Sequence, residues 1–237
     1  MRAAYVDHFD EDDELAGLRV GDRPDPVDAP GWETVRVAAA ALNHHDLFSL
    51  RGVGLGRDEL PRILGTDGAG TTADGREVLI HAVVGDPDAG GGDETLDPRR
   101  TLFSERIDGT LAELVTVPSR NLVPKPAAIS FEQAACLPTA WLTAYRMLFH
   151  QAGVHPGDTV LVQGVGGGVA TAAIMLGAAA GLRVYAVGRT PERRSRAIEL
   201  GAVAAVEPDA RLPERVDAVI ETVGAATWMH SLRRPSR

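Results

Sequence analysis

The chain has a single cysteine, Cys136, in 237 residues. One thiol excludes an internal disulfide framework and any zinc site built from several cysteines, and it suits a reducing, cytoplasmic compartment. Basic charge is short as well. Lys and Arg number 24 against 33 Asp and Glu, a net charge of −9, which argues against a general binder of nucleic acid or of an anionic membrane surface. No apolar run is long and unbroken enough to span a bilayer. The first residues lack the basic start and apolar stretch of a secretory leader. The acidic run Asp10-Glu11-Asp12-Asp13-Glu14 reads as a solvated loop.

What is present is a hydrophobic content of 44%, enough for one large or two modest domains. The densest signal runs from Thr159 to Gly201. Thr159–Gln163 reads as a short buried strand, Gly164-Val165-Gly166-Gly167-Gly168 as a glycine loop, Val169–Ala180 as an Ala-rich helix closed by Gly181, and Leu182–Val187 as a second strand. Strand, glycine loop, helix and strand in that order form a dinucleotide-binding unit. The glycines admit a pyrophosphate to the backbone, and the helix N-terminus offers free N–H groups and partial positive charge. The strict G-x-G-x-x-G pattern is broken by Val169, with Ala170 left to permit close helix–strand packing. A plain surface loop is the alternative reading of the triplet.

The first half reads as strands and turns. Thr34–Ala38 alternates as a half-buried strand does, Glu77–Val84 and Leu111–Val117 are further strands, and Gly85–Pro98 is a Gly/Asp/Pro loop. Ser130 opens a helix with Glu132 and Gln133 in its first turn, and a second helix is expected over Thr139–Gln151. The change from β-like to Ala-rich composition places the boundary near residue 127. The fold class expected is α/β, with a β-rich domain over residues 1–127 and a parallel-sheet domain over 128–237. Beyond the glycine unit, Thr190 caps a helix with Pro191 at its first position, Gly201 ends it, Ala202–Val206 and Val216–Ile220 are the third and fourth strands, and Ala225 starts a last helix. A dinucleotide-binding sheet of this type has six strands in the order 3-2-1-4-5-6. Four are counted here before Arg237, so the chain is expected to be truncated, with an incomplete sheet and an unpaired edge.

Several segments together resemble one family. They are Ala41-Leu42-Asn43-His44-His45-Asp46-Leu47, Arg51-Gly52, Leu64-Gly65-Thr66-Asp67-Gly68-Ala69-Gly70, Gly109-Thr110-Leu111-Ala112-Glu113, Leu142-Thr143-Ala144-Tyr145-Arg146 and the glycine loop. In this order they resemble the medium-chain dehydrogenase/reductase superfamily, particularly its zinc-free quinone oxidoreductase-like branch. The resemblance implies a GroES-like catalytic domain followed by a doubly wound Rossmann domain. Zinc-dependent relatives place cysteine where Asn43 and Thr139 stand and His-Glu where Thr66-Asp67 stand, so no metal site is expected. Gly85–Arg106 has no counterpart of the cysteine-rich lobe that holds structural zinc. His44 and His45, if on a strand, would face opposite sides and could not share a metal.

Cofactor choice is read at the end of the second strand. An NAD-preferring site carries Asp or Glu there to bind the ribose 2′-OH. Gly188 stands in that position, followed by Arg189, and an arginine can pair with a 2′-phosphate. Arg193 lies one helical turn on and is a second candidate; Arg194 and Arg196 read as a solvated helix face. NADPH is therefore the expected cofactor, held by Gly164, Gly166, Gly167, Gly168, Val169, Arg189 and Arg193, with Val223 and Gly224 lining it at the end of strand four. For the reacting end the resemblance nominates Asn43 as a donor to a carbonyl or ribose, Asp46 as its orienting partner, and Thr143 as a contact to the carboxamide. Asn43 and Asp46 as turn caps and Thr143 as an ordinary helix residue are the alternatives.

Without a Lewis acid an alkoxide is not stabilised, whereas a quinone or enone already carries a conjugated electron sink. The expectation is an NADPH-dependent, zinc-independent reductase of a small-molecule quinone or α,β-unsaturated carbonyl. An enoyl-thioester reductase ranks lower, because the tyrosine acid such relatives supply is missing from Val53-Gly54-Leu55-Gly56-Arg57. The non-enzymatic alternative is a truncated remnant that binds nucleotide without turnover. A homodimer is typical of the family, and the uncoded sheet edge counts against it here.

Overall fold

The computed structural model describes residues 1–233; Arg234, Pro235, Ser236 and Arg237 lie outside the described residues. The chain divides into two compact units, Met1–Thr139 and the part from Ala140 onward.

The first unit holds β1 (Arg2–Val6), β2 (Leu18–Asp22), β3 (Trp32–Ala41), α1 (His44–Leu50), β4 (Arg62–Ile63), β5 (Asp67–Thr72), β6 (Glu77–Ile80), β7 (Val83–Val84), β8 (Thr101–Leu102), β9 (Leu114–Pro118), β10 (Leu122–Pro124) and α2 (Phe131–Ala135). Its main sheet is antiparallel, in the order β10-β6-β5-β3-β9. A core of Val35, Val78, Ile80, Phe103, Val115, Val117 and Leu122 lies against it. In β5 a Cβ on Gly70 would overlap the Arg36 carbonyl of β3, so glycine lets the two backbones close up. That pairing ends at Ala41 opposite Asp67. The exit of β3 and the entry of β5 therefore lie side by side, with Asn43 just beyond one and Thr66 just before the other.

Two strands expected from sequence are cut shorter. Glu77–Val84 splits into β6 and β7, which belong to different sheets, because the His81 N–H turns to the Asn121 carbonyl. Leu111–Val117 begins only at Leu114, since the Thr110 and Leu111 N–H groups bond the carbonyls of Gly65 and Leu64. The helix signal at Ser130 is confirmed: its hydroxyl accepts from the Gln133 N–H at 3.3 Å, and Gln133 Oε1 accepts from the Ser130 N–H at 3.0 Å.

The second unit starts inside a helical run from Leu137 to Gln151. Its middle is α3 (Leu142–Tyr145), and both ends open into wider π-type turns. Then follow β11 (Thr159–Val162), α4 (Gly168–Ala179), β12 (Arg183–Val187), α5 (Pro191–Glu199), β13 (Ala204–Val206), β14 (Ala218–Ile220) and α6 (Ala225–Leu232). The four strands are parallel in the order β13-β12-β11-β14, the 3-2-1-4 arrangement expected. All of β11 is buried, and Ala172, Ala173 and Ile174 of α4 belong to the same core as Val160 and Val162. Alanines keep α4 close to the sheet. Gly177 brings it closer, since a Cβ there would lie 2.8 Å from a Val184 methyl. Thr190 caps α5 by accepting from the Arg193 N–H, and Gly201 leaves the helix with φ +112°. Among the described residues no helix is long and apolar enough to cross a membrane.

Leu161 is fully buried on the sheet face opposite α4, with Tyr185, Val187, Leu212 and Val216. Leu161→Ala is expected to lower stability by about 3 kcal/mol, read as a shift of the denaturant midpoint with the slope unchanged; a shift within error would contradict this packing.

Candidate functional site

The polar centre of the first unit forms where β3 hands over to α1. Asn43 is the N-cap of α1, with extended backbone (φ −128°, ψ 160°). Asp46, three residues on, reaches back: its carboxylate accepts from the Asn43 N–H at 2.7 Å and from the Gly65 N–H at 3.0 Å. Asp46 is 5% exposed. Burial raises its pKa, opposed by the Asn43 N–H, the charge of His45 and the Gly65 N–H. Asp46 thus fastens α1 to the segment entering β5 and orients the residues around it.

The Asn43 amide nitrogen reaches across to the start of β5. This Nδ2 donates to Thr66 Oγ1 at 3.1 Å and to Asp67 Oδ2 at 2.9 Å. Both amide hydrogens are committed, so Asn43 can meet a ligand only as an acceptor, through Oδ1, where a donor to substrate was expected from sequence. Thr139 Oγ1 donates to Asp67 Oδ1 at 2.6 Å and lies 3.3 Å from Thr66 Oγ1. With the Thr139 hydrogen on the carboxylate, Thr66 donates to Thr139. The result is a closed ring, Asn43 to Thr66 to Thr139 to Asp67, with a second bond from Asn43 to Asp67. Thr66 and Asp67 are each 1% exposed, while Asn43 and Thr139 are half-buried. Burial raises the Asp67 pKa to about 6, with Asp46 adding to it and the Thr139 and Asn43 bonds opposing.

By the family resemblance, these four residues stand where zinc-dependent relatives carry Cys, His, Glu and Cys. The donor set here is one amide, two hydroxyls and one carboxylate, bonded to one another. Zinc favours thiolate and imidazole ligands, and the set does not fit it. Among the described residues no group of three or more His, Cys, Asp or Glu could hold a metal ion.

His44 and His45 lie on α1, so the strand condition does not apply. His44 is exposed. His45 Nε2 is 3.1 Å from Glu105 Oε1, and its Nδ1 is 3.3 Å from Ser104 Oγ and 3.4 Å from Ser49 Oγ. That pairing ties α1 to the segment around Ser104, and no sequence signal marked it.

In the second unit, Gly164 and Gly166 take φ of +71° and +117°, and Gly167 is the N-cap of α4. Gly166, Gly167 and Gly168 are exposed, and Val169 is half-buried in the first helical turn. A Cβ on Gly164 would overlap the Val223 Cγ2 methyl; one on Gly166 would lie 3.2 Å from Arg193 Nε; one on Gly167 would meet nothing within 4 Å. The structure thus brings Val223 and Arg193 onto the glycine loop. The open space over Gly167 and the unpaired N–H groups of the first turn fit a dinucleotide phosphate. Gly224 (φ +93°) likewise faces open space. Arg189 follows Gly188 at the end of β12 and is exposed; because β11 and β12 run parallel, it leaves the sheet at the same edge as the loop. Thr143 lies exposed on α3, one turn after Ala140, whose Cβ would lie 3.1 Å from a Cβ on Gly168.

Gly188 has a packing reason of its own. A Cβ there would lie 2.8 Å from a Val165 methyl and 2.9 Å from Arg194 Cγ. Arg194 is not part of a solvated face: it is half-buried and donates to the Gly188 carbonyl at 2.9 Å and to Glu207 at 3.0 Å. Arg196 does pair with Glu199 on the exposed side. Glu221 went unnoticed in sequence. It accepts from the N–H groups of Val223 and Gly224 and from the hydroxyls of Thr227 and Ser231, and so shapes the turn after β14. Burial pushes its pKa up, but these bonds outweigh it and hold the carboxyl below its ordinary range.

Comparison with known proteins agrees with this fold. Residues 29–127 match the alcohol dehydrogenase GroES-like domain. The chain is 30% identical to an acryloyl-coenzyme A reductase of Metallosphaera sedula, over 92% of this chain and 70% of that protein. It is 37% identical to the mouse synaptic vesicle membrane protein VAT-1 homolog, over 64% of this chain but only 34% of that protein. Among solved structures, an NAD-dependent alcohol dehydrogenase superposes with TM-score 0.89 at 33% identity, covering 99% of this chain and 74% of that one. The quinone oxidoreductase of Thermus thermophilus, solved alone and with NADPH, gives 0.79 at 30% identity, covering 100% and 71%.

The Asp67 pKa has a stability consequence. It rises from 3.8 to about 6 on folding, so the native state holds its proton at pH values where the unfolded chain has lost it. Its contribution therefore favours folding at low pH and is lost as pH climbs from about 4 to about 6, by up to about 3 kcal/mol. The stability of Asp67→Asn relative to wild type is expected to rise over that window and level off above it. Parallel curves across pH 4–8 would contradict the burial argument.

Proposed function

The chain belongs to the medium-chain dehydrogenase/reductase superfamily, and on that premise we propose that it is an NADPH-dependent, zinc-independent reductase of quinones or α,β-unsaturated carbonyls. The observation that carries this reading is the hydrogen-bonded ring of Asn43, Thr66, Asp67 and Thr139 at the positions where relatives hold zinc. Alcohol oxidation needs an alkoxide stabilised by a Lewis acid. Conjugate reduction delivers negative charge into a π-system that hydrogen-bonding groups can stabilise.

When bound, the nicotinamide supplies the hydride. The chain's own residues do the rest. Gly164, Gly166, Gly167 and Gly168, with the first turn of α4 carrying Val169, receive the pyrophosphate. Arg189 and Arg193 supply guanidinium donors to a 2′-phosphate, with no acidic side chain at position 188 to repel it. Val223 and Gly224 line the cofactor, and Thr143 contacts its carboxamide. Asn43 presents an acceptor to a ribose or substrate hydroxyl, and Asp46 holds Asn43 in place. The solved neighbours divide over cofactor, one being an NAD-dependent alcohol dehydrogenase and the other a quinone oxidoreductase solved with NADPH, so the preference rests on Arg189 and Arg193.

A second reading, reduction of an enoyl thioester, draws support from the acryloyl-coenzyme A reductase relatives, although Val53–Arg57 carries no tyrosine acid. In either case the partner is a small molecule, and a cytoplasmic setting suits the exposed free thiol of Cys136. Because the chain spans about 70% of such relatives, nucleotide binding without turnover stands as the alternative outcome of the test.

Cofactor titration of the purified protein is expected to give NADPH binding at least about tenfold tighter than NADH, with Arg189→Ala erasing most of that margin (about 1–2 kcal/mol). Equal or tighter NADH binding would overturn the assignment. NADPH oxidation with a quinone, an enone and an enoyl thioester then ranks the acceptors, and binding without oxidation of any of them would mark the chain as a non-enzyme.

A further inference from the structure

We propose that Asp67 is the proton source of the reduction and that it works through the Thr139 hydroxyl. The proposal rests on the reductase reading above and adds the group that completes it. Hydride transfer puts two electrons and one hydrogen on the acceptor and leaves an enolate or hydroquinone anion, which needs one proton.

The geometry fixes where that proton sits. Asp67 is 1% exposed, so an acceptor cannot reach it directly. Asp67 Oδ2 already receives an Asn43 amide hydrogen at 2.9 Å. A proton on the carboxyl therefore belongs on Oδ1, the oxygen 2.6 Å from Thr139 Oγ1. The two protonation states set opposite hydroxyl directions. With Asp67 ionised, Thr139 donates inward to Oδ1 and accepts from Thr66. With Asp67 protonated, Oδ1–H donates to Thr139, and the Thr139 hydrogen is free to leave the ring. Thr139 and Asn43 are the half-buried members, and of the two only Thr139 carries a hydroxyl.

In the proposed step the Thr139 O–H bond breaks toward the enolate carbon or oxygen, the Asp67 proton moves to Thr139 Oγ1, and Asp67 is left as carboxylate. Solvent returns one proton per turnover. Among the described residues that act most on Asp67 none is a cation. Ala41 on β3, Thr110, whose hydroxyl bonds the Asp67 carbonyl at 2.7 Å, Thr66 and Thr139 are uncharged. On α1 the facing charge is Asp46, which favours the protonated form, while His45 is paired with Glu105. Burial raises the Asp67 pKa to about 6, so part of the population carries the proton near neutrality.

The test compares wild type, Asp67→Asn, Thr139→Val and Thr139→Ser with the best acceptor. The first two are expected to lower kcat about 100-fold and to abolish the fall in kcat above pH about 6, with NADPH affinity and melting temperature showing that each variant is folded. Thr139→Ser restores both rate and profile. Independently of turnover, carbon-13 NMR of aspartate-labelled, cofactor-free protein is expected to follow the Asp67 carboxyl titrating near pH 6, with the midpoint moved by Thr139→Val. If wild type reduces its acceptor but Asp67→Asn and Thr139→Val keep its rate and pH profile, the relay is wrong and the reductase reading survives. A carboxyl midpoint in the ordinary aspartate range likewise overturns the relay alone. If wild type reduces no acceptor, both fall.

Discussion

The chemistry of the first unit depends on one strand pairing. Ala41 at the end of β3 lies opposite Asp67 at the start of β5, which places the cap of α1 beside a buried carboxyl. A slip of one residue would turn Asp67 to the opposite face and leave its charge with no donors. Gly70 permits the close approach of the two strands, and Asp46 fixes where α1 starts by gripping Asn43 and Gly65. Asn43 and Thr139 then satisfy Asp67 at hydrogen-bond distance, and Thr66 bridges those two. A buried carboxylate is tolerated only in such company.

The same company explains what the site can do. A metal at these positions would polarise an oxygen directly. A ring of amide, hydroxyls and carboxyl instead offers an acceptor at Asn43 and, in the proposed relay, a proton at Thr139 for an acceptor that disperses its own charge. The second unit answers a different need. Its parallel strands end at one edge, where glycines replace side chains and where Arg189, beside Gly188, is the ground for the proposed NADPH preference.

Much of this was legible in the sequence where local rules act alone. The glycine loop, the Thr190-Pro191 start of α5 and the Ser130 box carry their geometry in a few adjacent residues, and the 3-2-1-4 strand order follows from their succession. Long-range pairings were not legible. No local motif announces that Asn43, the adjacent Thr66 and Asp67, and Thr139 close one ring; the resemblance groups these three segments only by the ligands they lack. Asn43 was expected to donate outward; its hydrogens turn inward because Asp67 and Thr66 stand there. Gly188 was read as an absent charge, yet Arg194 and Val165 also fill the space a side chain would need. The split of Glu77–Val84 is set by Asn121, some forty residues away.

The central claim is that the ring at Asn43, Thr66, Asp67 and Thr139 does without a metal. Elemental analysis of the purified protein before and after exhaustive chelation, with NADPH-dependent reduction of a quinone or enone assayed at each stage, tests it most directly. The account predicts substoichiometric zinc and a rate that chelation leaves unchanged. One zinc per chain whose removal abolishes the rate and whose return restores it would contradict it.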